Sequence, residues 1–109
     1  MFGIFKSLFG AENEQLKEVI KDGAFLVDVR TPGEFSGGSV KGAVNIPLDT
    51  IPGKVSKFKG KKNIVLFCQS GGRCTQAKGY LEQQGISNIY NGGSWYNVDA
   101  IVNEIQNEE

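Results

Sequence analysis

The stretch "NIVLFCQSGGRCTQA" (residues 63–77) decides how this chain of 109 residues can fold. A short apolar run of strand-forming residues stops at Cys68, and small residues and an arginine follow it. From Gly72 onward the pattern is typical of a helix. The stretch therefore predicts a buried strand, a Gly-rich loop and a helix, with a thiol at the point where the strand ends.

Strand and helix signals alternate along the rest of the chain. Strands are predicted at 24–29, 44–46, 63–67 and 88–90, and helices from 13 to about 22, at 72–84 and from 94 to about 107. The segment "TPGEF" (31–35) has the pattern of one capped helical turn, with a capping box closed by Glu34. Three apolar residues are spaced for a further short helix: Ile51, Val55 and Phe58.

This alternation predicts an α/β fold with a mainly parallel sheet flanked by helices. Ligands of such sheets gather at the carboxyl ends of the strands. Asp28, Arg30 and Cys68 all follow or end predicted strands, so we expect them at the same edge of the sheet.

The composition excludes several classes of function. Twelve basic and twelve acidic residues cancel, so charge gives no case for a nucleic-acid partner or an acidic membrane surface. No apolar run is long enough to span a membrane. The chain has no histidine, so a Cys–His catalytic pair and the commonest metal ligand are absent. Five lysines cluster in a segment that is either a solvated helix end and loop or a docking site for an acidic partner: Lys54, Lys57, Lys59, Lys61 and Lys62.

The segment "MFGIFKSLFG" (residues 1–10) is a Phe-rich extension of a single domain at 11–109. It is shorter than a usual signal peptide and has no typical cleavage site. We expect it to pack against the domain or another copy of it; a weak membrane-surface or partner anchor is the alternative.

The loop after Cys68 can activate a thiol without histidine. Gly71 and Gly72 allow backbone N–H groups to point inward, and the start of the following helix adds free N–H groups and a positive dipole end. Such a cradle stabilises a thiolate, a persulfide or a bound oxyanion. Arg73 adds a fixed positive charge nearby. The other interpretation is an ordinary buried cysteine at a strand end.

Four segments of the chain together resemble the rhodanese family, in that family's order and spacing. They lie within about two-thirds of the chain: "FLVDVRTPGEF" (25–35), "GGSVKGAVNIPL" (37–48), "VLFCQSGGRC" (65–74) and "YNGGSWYN" (90–97). The resemblance implies a three-layer α/β/α rhodanese-like fold with four to five short strands.

The same resemblance implies a small cytoplasmic sulfurtransferase without a metal or organic cofactor. Cys68 would take a sulfane sulfur from a donor such as thiosulfate, hold it as a persulfide, and pass it to cyanide or a thiol. A sulfur-relay protein is a further possible partner. The cradle would be formed by the five residues after the cysteine, with Arg73 also attracting the anionic donor: Gln69, Ser70, Gly71, Gly72 and Arg73.

The chain departs from the family pattern in two places. Ser39 stands where many relatives have a histidine, which affects local packing and the entrance of the site. The family's short first strand is not evident, so the Phe-rich segment replaces it or the sheet has one strand fewer.

Other residues near the loop each have two interpretations. Cys74 is either a small half-buried residue of the first helical turn or a resolving thiol that attacks the Cys68 persulfide, releases sulfide and leaves a disulfide. Asp28 and Arg30 either fix neighbouring loops through hydrogen bonds and an ion pair or take part in catalysis. Trp95 is a core anchor or a substrate platform.

Two rival functions remain beside the sulfurtransferase. A cysteine-dependent phosphatase uses a similar anion cradle but has five residues between cysteine and arginine, whereas four lie between Cys68 and Arg73. A rhodanese-like module that docks a partner, or carries persulfide between proteins without turnover, has the same site as an enzyme. A thioredoxin-like role would require Cys-x-x-Cys, which the chain lacks.

Overall fold

The structure is a computed structural model that describes residues 13–108. Its elements are, in order, α1 (13–21), β1 (Phe25–Asp28), α2 (Pro32–Ser36), β2 (Val44–Asn45), two 3-10 helices (Leu48–Gly53 and Val55–Phe58), β3 (Ile64–Cys68), α3 (Gly72–Gln83), β4 (Ile89–Ser94) and α4 (Trp95–Glu108). None of the helices in this part of the chain is long and apolar enough to cross a membrane. The predicted Phe-rich extension, residues 1–10, lies outside the described residues.

The sheet of the described residues has four strands in the order β2-β1-β3-β4, and every neighbouring pair is parallel. All five residues of β3 are buried, so both faces of this central strand are covered. Helices α3 and α4 both pack against β3 and β4. The predicted α/β fold with a parallel sheet flanked by helices is confirmed.

Strand β4 is longer than the sequence predicted. The predicted strand ends at residue 90, before the turn-forming residues "NGG" (91–93), but β4 continues to Ser94 and α4 begins at the next residue. The continuation holds a β-bulge: Leu66 pairs with Asn91, whereas Cys68 pairs with Ser94. Pairing with the end of β3 therefore overrides the local turn signal, and it brings the end of β4 alongside Cys68.

The bulge requires glycine at its centre. A Cβ added to Gly92 would lie 2.7 Å from Val98 Cγ2 and 3.1 Å from the carbonyl oxygen of Leu66. Gly93 has a φ of +76°, in the left-handed region that favours glycine. The two glycines thus allow β4 to bend where α4 and β3 approach it closely.

The segment between β2 and β3 also differs from its prediction. One short helix through Ile51 and Phe58 was expected, but the structure has two 3-10 helices separated at Lys54, whose φ is −132°. Pro52 lies inside the first of them and has no N–H to donate to the carbonyl four residues earlier, so a continuous α-helix is not available there. The predicted apolar side chains of Ile51 and Phe58 are nevertheless buried.

Helix α2 has the predicted capping box. The Thr31 side chain accepts a hydrogen bond from the backbone N–H of Glu34, and the Glu34 carboxylate accepts one from the backbone N–H of Thr31. This cap fixes Glu34 at the start of α2, just after the carboxyl end of β1.

Candidate active site

Cys68 is the last residue of β3, and it is 1% exposed. The backbone N–H of Gly71 donates a hydrogen bond to Cys68 Sγ at 2.9 Å. Gly71 has a φ of +100° and is the N-cap of α3. Because L-residues with a side chain rarely adopt that conformation, glycine is what lets the chain turn back over the sulfur and enter the helix.

The surroundings of Cys68 favour its thiolate form. Burial raises the pKa of the Cys68 thiol, but hydrogen bonds from the backbone N–H and the thiol of Cys74, and from the N–H groups of Gly71 and Ser70, lower it. The hydrogen bonds outweigh burial, so the pKa lies below the ordinary cysteine value. A thiolate is the nucleophilic form of cysteine. The loop therefore activates the sulfur with backbone groups and a second thiol.

Cys74 lies in the first turn of α3 and is fully buried. Burial, followed by the hydrogen bond to Cys68 and the negative charge of that residue, raises the pKa of the Cys74 thiol. Both cysteines are free, and Cys74 Sγ also lies 3.9 Å from the carbonyl oxygen of Gly93. The raised pKa favours the protonated form of Cys74. The half-buried position that one interpretation gave Cys74 is wrong, because the side chain is fully buried.

Arg73 does not stand as a lone positive charge beside Cys68. Its Nη1 and Nη2 donate to the two carboxylate oxygens of Glu34 at 2.7 and 3.0 Å. The hydrogen bonds from Arg73, then those from Thr31, lower the pKa of Glu34 to about 2. The pair joins the loop to α2, and the sequence indicated only the capping role of Glu34.

The other loop residues have different exposure. Gln69, Ser70 and Gly72 are exposed, whereas Gly71 and Arg73 are half-buried. The loop therefore covers the sulfur with its backbone and leaves the side chains of Gln69 and Ser70 towards solvent.

Asp28 and Arg30 form a buried ion pair at the same sheet edge, with exposures of 0% and 3%. Arg30 Nε and Nη2 both donate to the Asp28 carboxylate, and Nη2 also donates to the carbonyl oxygen of Gly38 at 2.6 Å. Ser39 Oγ donates to Asp28 Oδ2 at 2.7 Å. The pair therefore fixes the loop after α2, and Ser39 contributes to it directly.

Trp95 is half-buried and packs against Arg30 of the buried ion pair. The Arg30 guanidinium lies 5.0 Å from the centroid of the Trp95 ring, which also stacks on Tyr96 at 4.3 Å. Trp95 Nε1 is buried and has no hydrogen-bond partner in the described part of the chain. The ring thus packs as an anchor for Arg30 at the start of α4.

The described residues offer no cluster of three or more cysteine and carboxylate side chains that could hold a metal ion. The chemistry available at this sheet edge is instead that of a thiolate in a cradle of hydrogen-bond donors. These features define a class: an α/β domain with a cysteine of lowered pKa at the end of a central parallel strand, just before the helix that follows it.

Comparison with known proteins identifies the family. Residues 12–97 match the family model of the rhodanese-like domain, and the chain belongs to that family. A sulfurtransferase of Allochromatium vinosum is 35% identical over 82 residues, which cover 73% of this chain and 77% of that protein. The solved structure of the human single-domain sulfurtransferase TSTD1 is 26% identical, with a TM-score of 0.65, and the match covers 77% of this chain and 88% of that one.

Some relatives carry the domain within a much longer chain. A tRNA uridine(34) hydroxylase of Hamiltonella defensa is 37% identical over 83 residues, which cover 70% of this chain but 23% of that protein. The similarity thus extends to sulfurtransferases of about this size and to one part of a larger enzyme.

Proposed function

We propose that this protein is a sulfurtransferase in which Cys68 carries a sulfane sulfur as a persulfide. The hydrogen bond from the Gly71 N–H to Cys68 Sγ, at 2.9 Å, is the observation that best supports the proposal. That donor, with those of Ser70 and Cys74, stabilises negative charge on the sulfur before and after transfer. The similarity to sulfurtransferases supports the same reaction class.

The first half-reaction loads the cysteine. The Cys68 thiolate attacks the outer sulfur of a thiosulfate-like donor, a new S–S bond forms, and the S–S bond of the donor breaks. Sulfite leaves with the electron pair of that bond. The negative charge then lies on the terminal sulfur of the persulfide, and we expect backbone N–H groups of the loop to stabilise it.

The second half-reaction restores the enzyme. A nucleophilic acceptor, cyanide or a thiolate, attacks the terminal sulfur, and the persulfide S–S bond breaks. Thiocyanate or an acceptor persulfide forms, and Cys68 leaves as the thiolate. No net oxidation occurs, so the cycle requires neither a metal nor an organic cofactor. A reducing compartment such as the cytoplasm suits this cycle because Cys68 must remain reduced.

A protein-fed persulfide carrier is the second candidate, and the Arg73–Glu34 pair favours it. The Glu34 carboxylate offsets the positive charge that a small anionic donor would otherwise meet at Arg73. A partner protein brings its own docking surface and does not depend on that charge. The two candidates share the Cys68 chemistry and differ in the donor and acceptor.

Intact mass spectrometry of the reduced protein after treatment with excess thiosulfate tests the proposal. We expect a gain of one sulfur atom that cyanide removes, in the wild type and in Cys74→Ser but not in Cys68→Ser. A loss of two hydrogens in the wild type, with a stable persulfide only in Cys74→Ser, would instead make Cys74 a resolving thiol. No adduct in any variant would reject thiosulfate as the donor and favour the protein-fed carrier.

A further inference from the structure

The carbonyl group of Gly71 is held as firmly as its N–H. While the N–H donates to Cys68, the carbonyl oxygen accepts hydrogen bonds from Thr75 Oγ1 at 3.1 Å and Asn91 Nδ2 at 3.3 Å. It also accepts the backbone N–H of Thr75 at 3.0 Å. Gly71 therefore stands between the sulfur on one side and a polar cluster from α3 and β4 on the other.

The Asn91 amide has one favourable orientation in this cluster. Its Oδ1 accepts the backbone N–H of Gly93 at 2.8 Å, and its Nδ2 donates to Gly71 O and to Thr75 Oγ1, the latter at 3.1 Å. A flipped amide would set its NH₂ group against the Gly93 N–H and lose both other bonds. The bulge of β4 thus fixes the side chain that reaches the loop.

The loop and the bulge also lie close together. A Cβ added to Gly71 would lie 3.6 Å from Gly93 Cα, so the two glycine backbones pass close to each other. Because Gly71 has no Cβ, its backbone has little intrinsic preference for the observed φ of +100° over other values. The hydrogen bonds to its carbonyl oxygen, from α3 and from Asn91, therefore help to select this conformation.

We propose that Asn91 is a positioning residue that holds Gly71 in the conformation whose N–H points at the Cys68 sulfur. The inference deepens the proposed function, on which it rests for the role of Cys68. Asn91 acts from a strand of the sheet, which gives the loop a rigid reference that a loop contact alone would not. Its loss lets Gly71 sample other conformations, and the sulfur then loses part of its stabilisation as an anion.

The test is the rate of Cys68 alkylation by iodoacetamide as a function of pH, followed by mass spectrometry in the Cys74→Ser background. Asn91→Ala should slow alkylation at pH 7 by about threefold to tenfold and raise the midpoint of the pH profile by about half a unit to one unit, since one hydrogen bond to the loop is lost. Thr75→Val, which removes the hydroxyl of the same cluster, should shift the profile in the same direction. This second variant also serves if Asn91→Ala does not fold.

Asn97→Ala is the matched control. The Asn97 amide also donates to a backbone carbonyl at 3.3 Å, that of Gly92, but it does not touch the loop. We expect its rate of Cys68 alkylation at each pH to stay within about twofold of the rate of the Cys74→Ser parent. Its melting temperature should fall because one hydrogen bond is lost. An unchanged profile in Asn91→Ala, or an equal shift in Asn97→Ala, would overturn the inference.

Alkylation does not depend on sulfur transfer, so the two proposals can fail separately. If thiosulfate leaves no persulfide on the wild type but Asn91→Ala still shifts the alkylation profile, thiosulfate is rejected as the donor and the positioning role of Asn91 stands. If persulfide forms normally and the profile does not move, the positioning role fails alone.

Discussion

The guanidinium of Arg73 and the carboxylate of Glu34 form a two-point ion pair across 39 residues of sequence, with N–O distances of 2.7 and 3.0 Å. Each side chain of the pair is 34% exposed. The geometry is bidentate: two parallel N–H···O bonds fix the relative orientation of the two side chains as well as their distance. As a result the loop after β3 is joined to the capped start of α2. The Glu34 carboxylate also offsets the positive charge of Arg73 in the protein without a bound donor.

We predict that Glu34→Gln lowers the KM for thiosulfate by about twofold to fivefold, because the Arg73 charge is then available to the donor. Glutamine at this position retains the capping box, so α2 keeps its start. Steady-state transfer of sulfur to cyanide measures the effect, and added salt should reduce it. Glu82→Gln, which removes the carboxylate of the Lys78–Glu82 pair on α3, is the control and should leave KM unchanged. A higher KM in Glu34→Gln would mean that holding Arg73 in place matters more than freeing its charge.

The same pair predicts a dependence of stability on acid. The pKa of Glu34 is lowered from 4.5 to about 2 in the folded protein. The ionised Glu34 carboxylate therefore contributes to the free energy of unfolding above pH 4.5, and this contribution is lost as the pH falls through about 2. The melting temperature, measured between pH 2 and 7, should be higher for the wild type than for Glu34→Gln. The difference should be widest above pH 4.5 and should close near pH 2. In an Arg73→Gln background that difference should shrink to the part that the hydrogen bonds from Thr31 supply, and an undiminished difference would contradict the role of Arg73.

Arg30→Met is expected to cost about 3–5 kcal/mol of the free energy of unfolding, because it leaves the Asp28 carboxylate buried without its partner. Urea denaturation measures the loss. Lys62→Met breaks an ion pair with the same N–O distance of 2.7 Å, to Asp22, but on the surface. We expect that control to cost less than about 1 kcal/mol. Asp28→Asn added to Arg30→Met should recover part of the loss, and equal costs for Arg30→Met and Lys62→Met would contradict the account.

The order of strands and helices could be predicted because each is encoded locally. The capping box at Thr31 and the apolar run that ends at Cys68 are signals within a few residues, and they lead directly to the observed α2 and β3. The parallel topology then placed Cys68 at the same sheet edge as Asp28 and Arg30.

The partners of the loop could not be predicted, because they depend on how distant segments meet. Sequence indicated a free charge at Arg73, but the approach of α2 supplies Glu34 from 39 residues away. The "NGG" segment is a turn signal by itself, yet pairing with β3 extends it as a strand and aims Asn91 at Gly71. No periodicity or spacing in one sequence carries such contacts.

Two glycine-to-alanine variants separate packing from backbone conformation. At Gly92 an added Cβ would lie 2.7 Å from Val98 Cγ2 and 3.1 Å from the backbone oxygen of Leu66, so Gly92→Ala should cost about 1–3 kcal/mol of the free energy of unfolding. At Gly79, inside α3, an added Cβ meets nothing within 4 Å, and Gly79→Ala should gain about 0.5–1 kcal/mol from helix propensity. Urea denaturation of both variants measures the contrast.

Val98→Ala added to Gly92→Ala completes this prediction. The double variant removes the nearest side-chain atom but not the Leu66 carbonyl, so it should relieve the overlap at Gly92 only in part. The cost of the Val98 truncation alone must be subtracted, because that side chain is itself fully buried. A Gly92→Ala variant as stable as the wild type would show that β4 can move away from β3 at the bulge. In that case the sheet would be a weaker support for Asn91, and the alkylation profile of Gly92→Ala should shift towards that of Asn91→Ala.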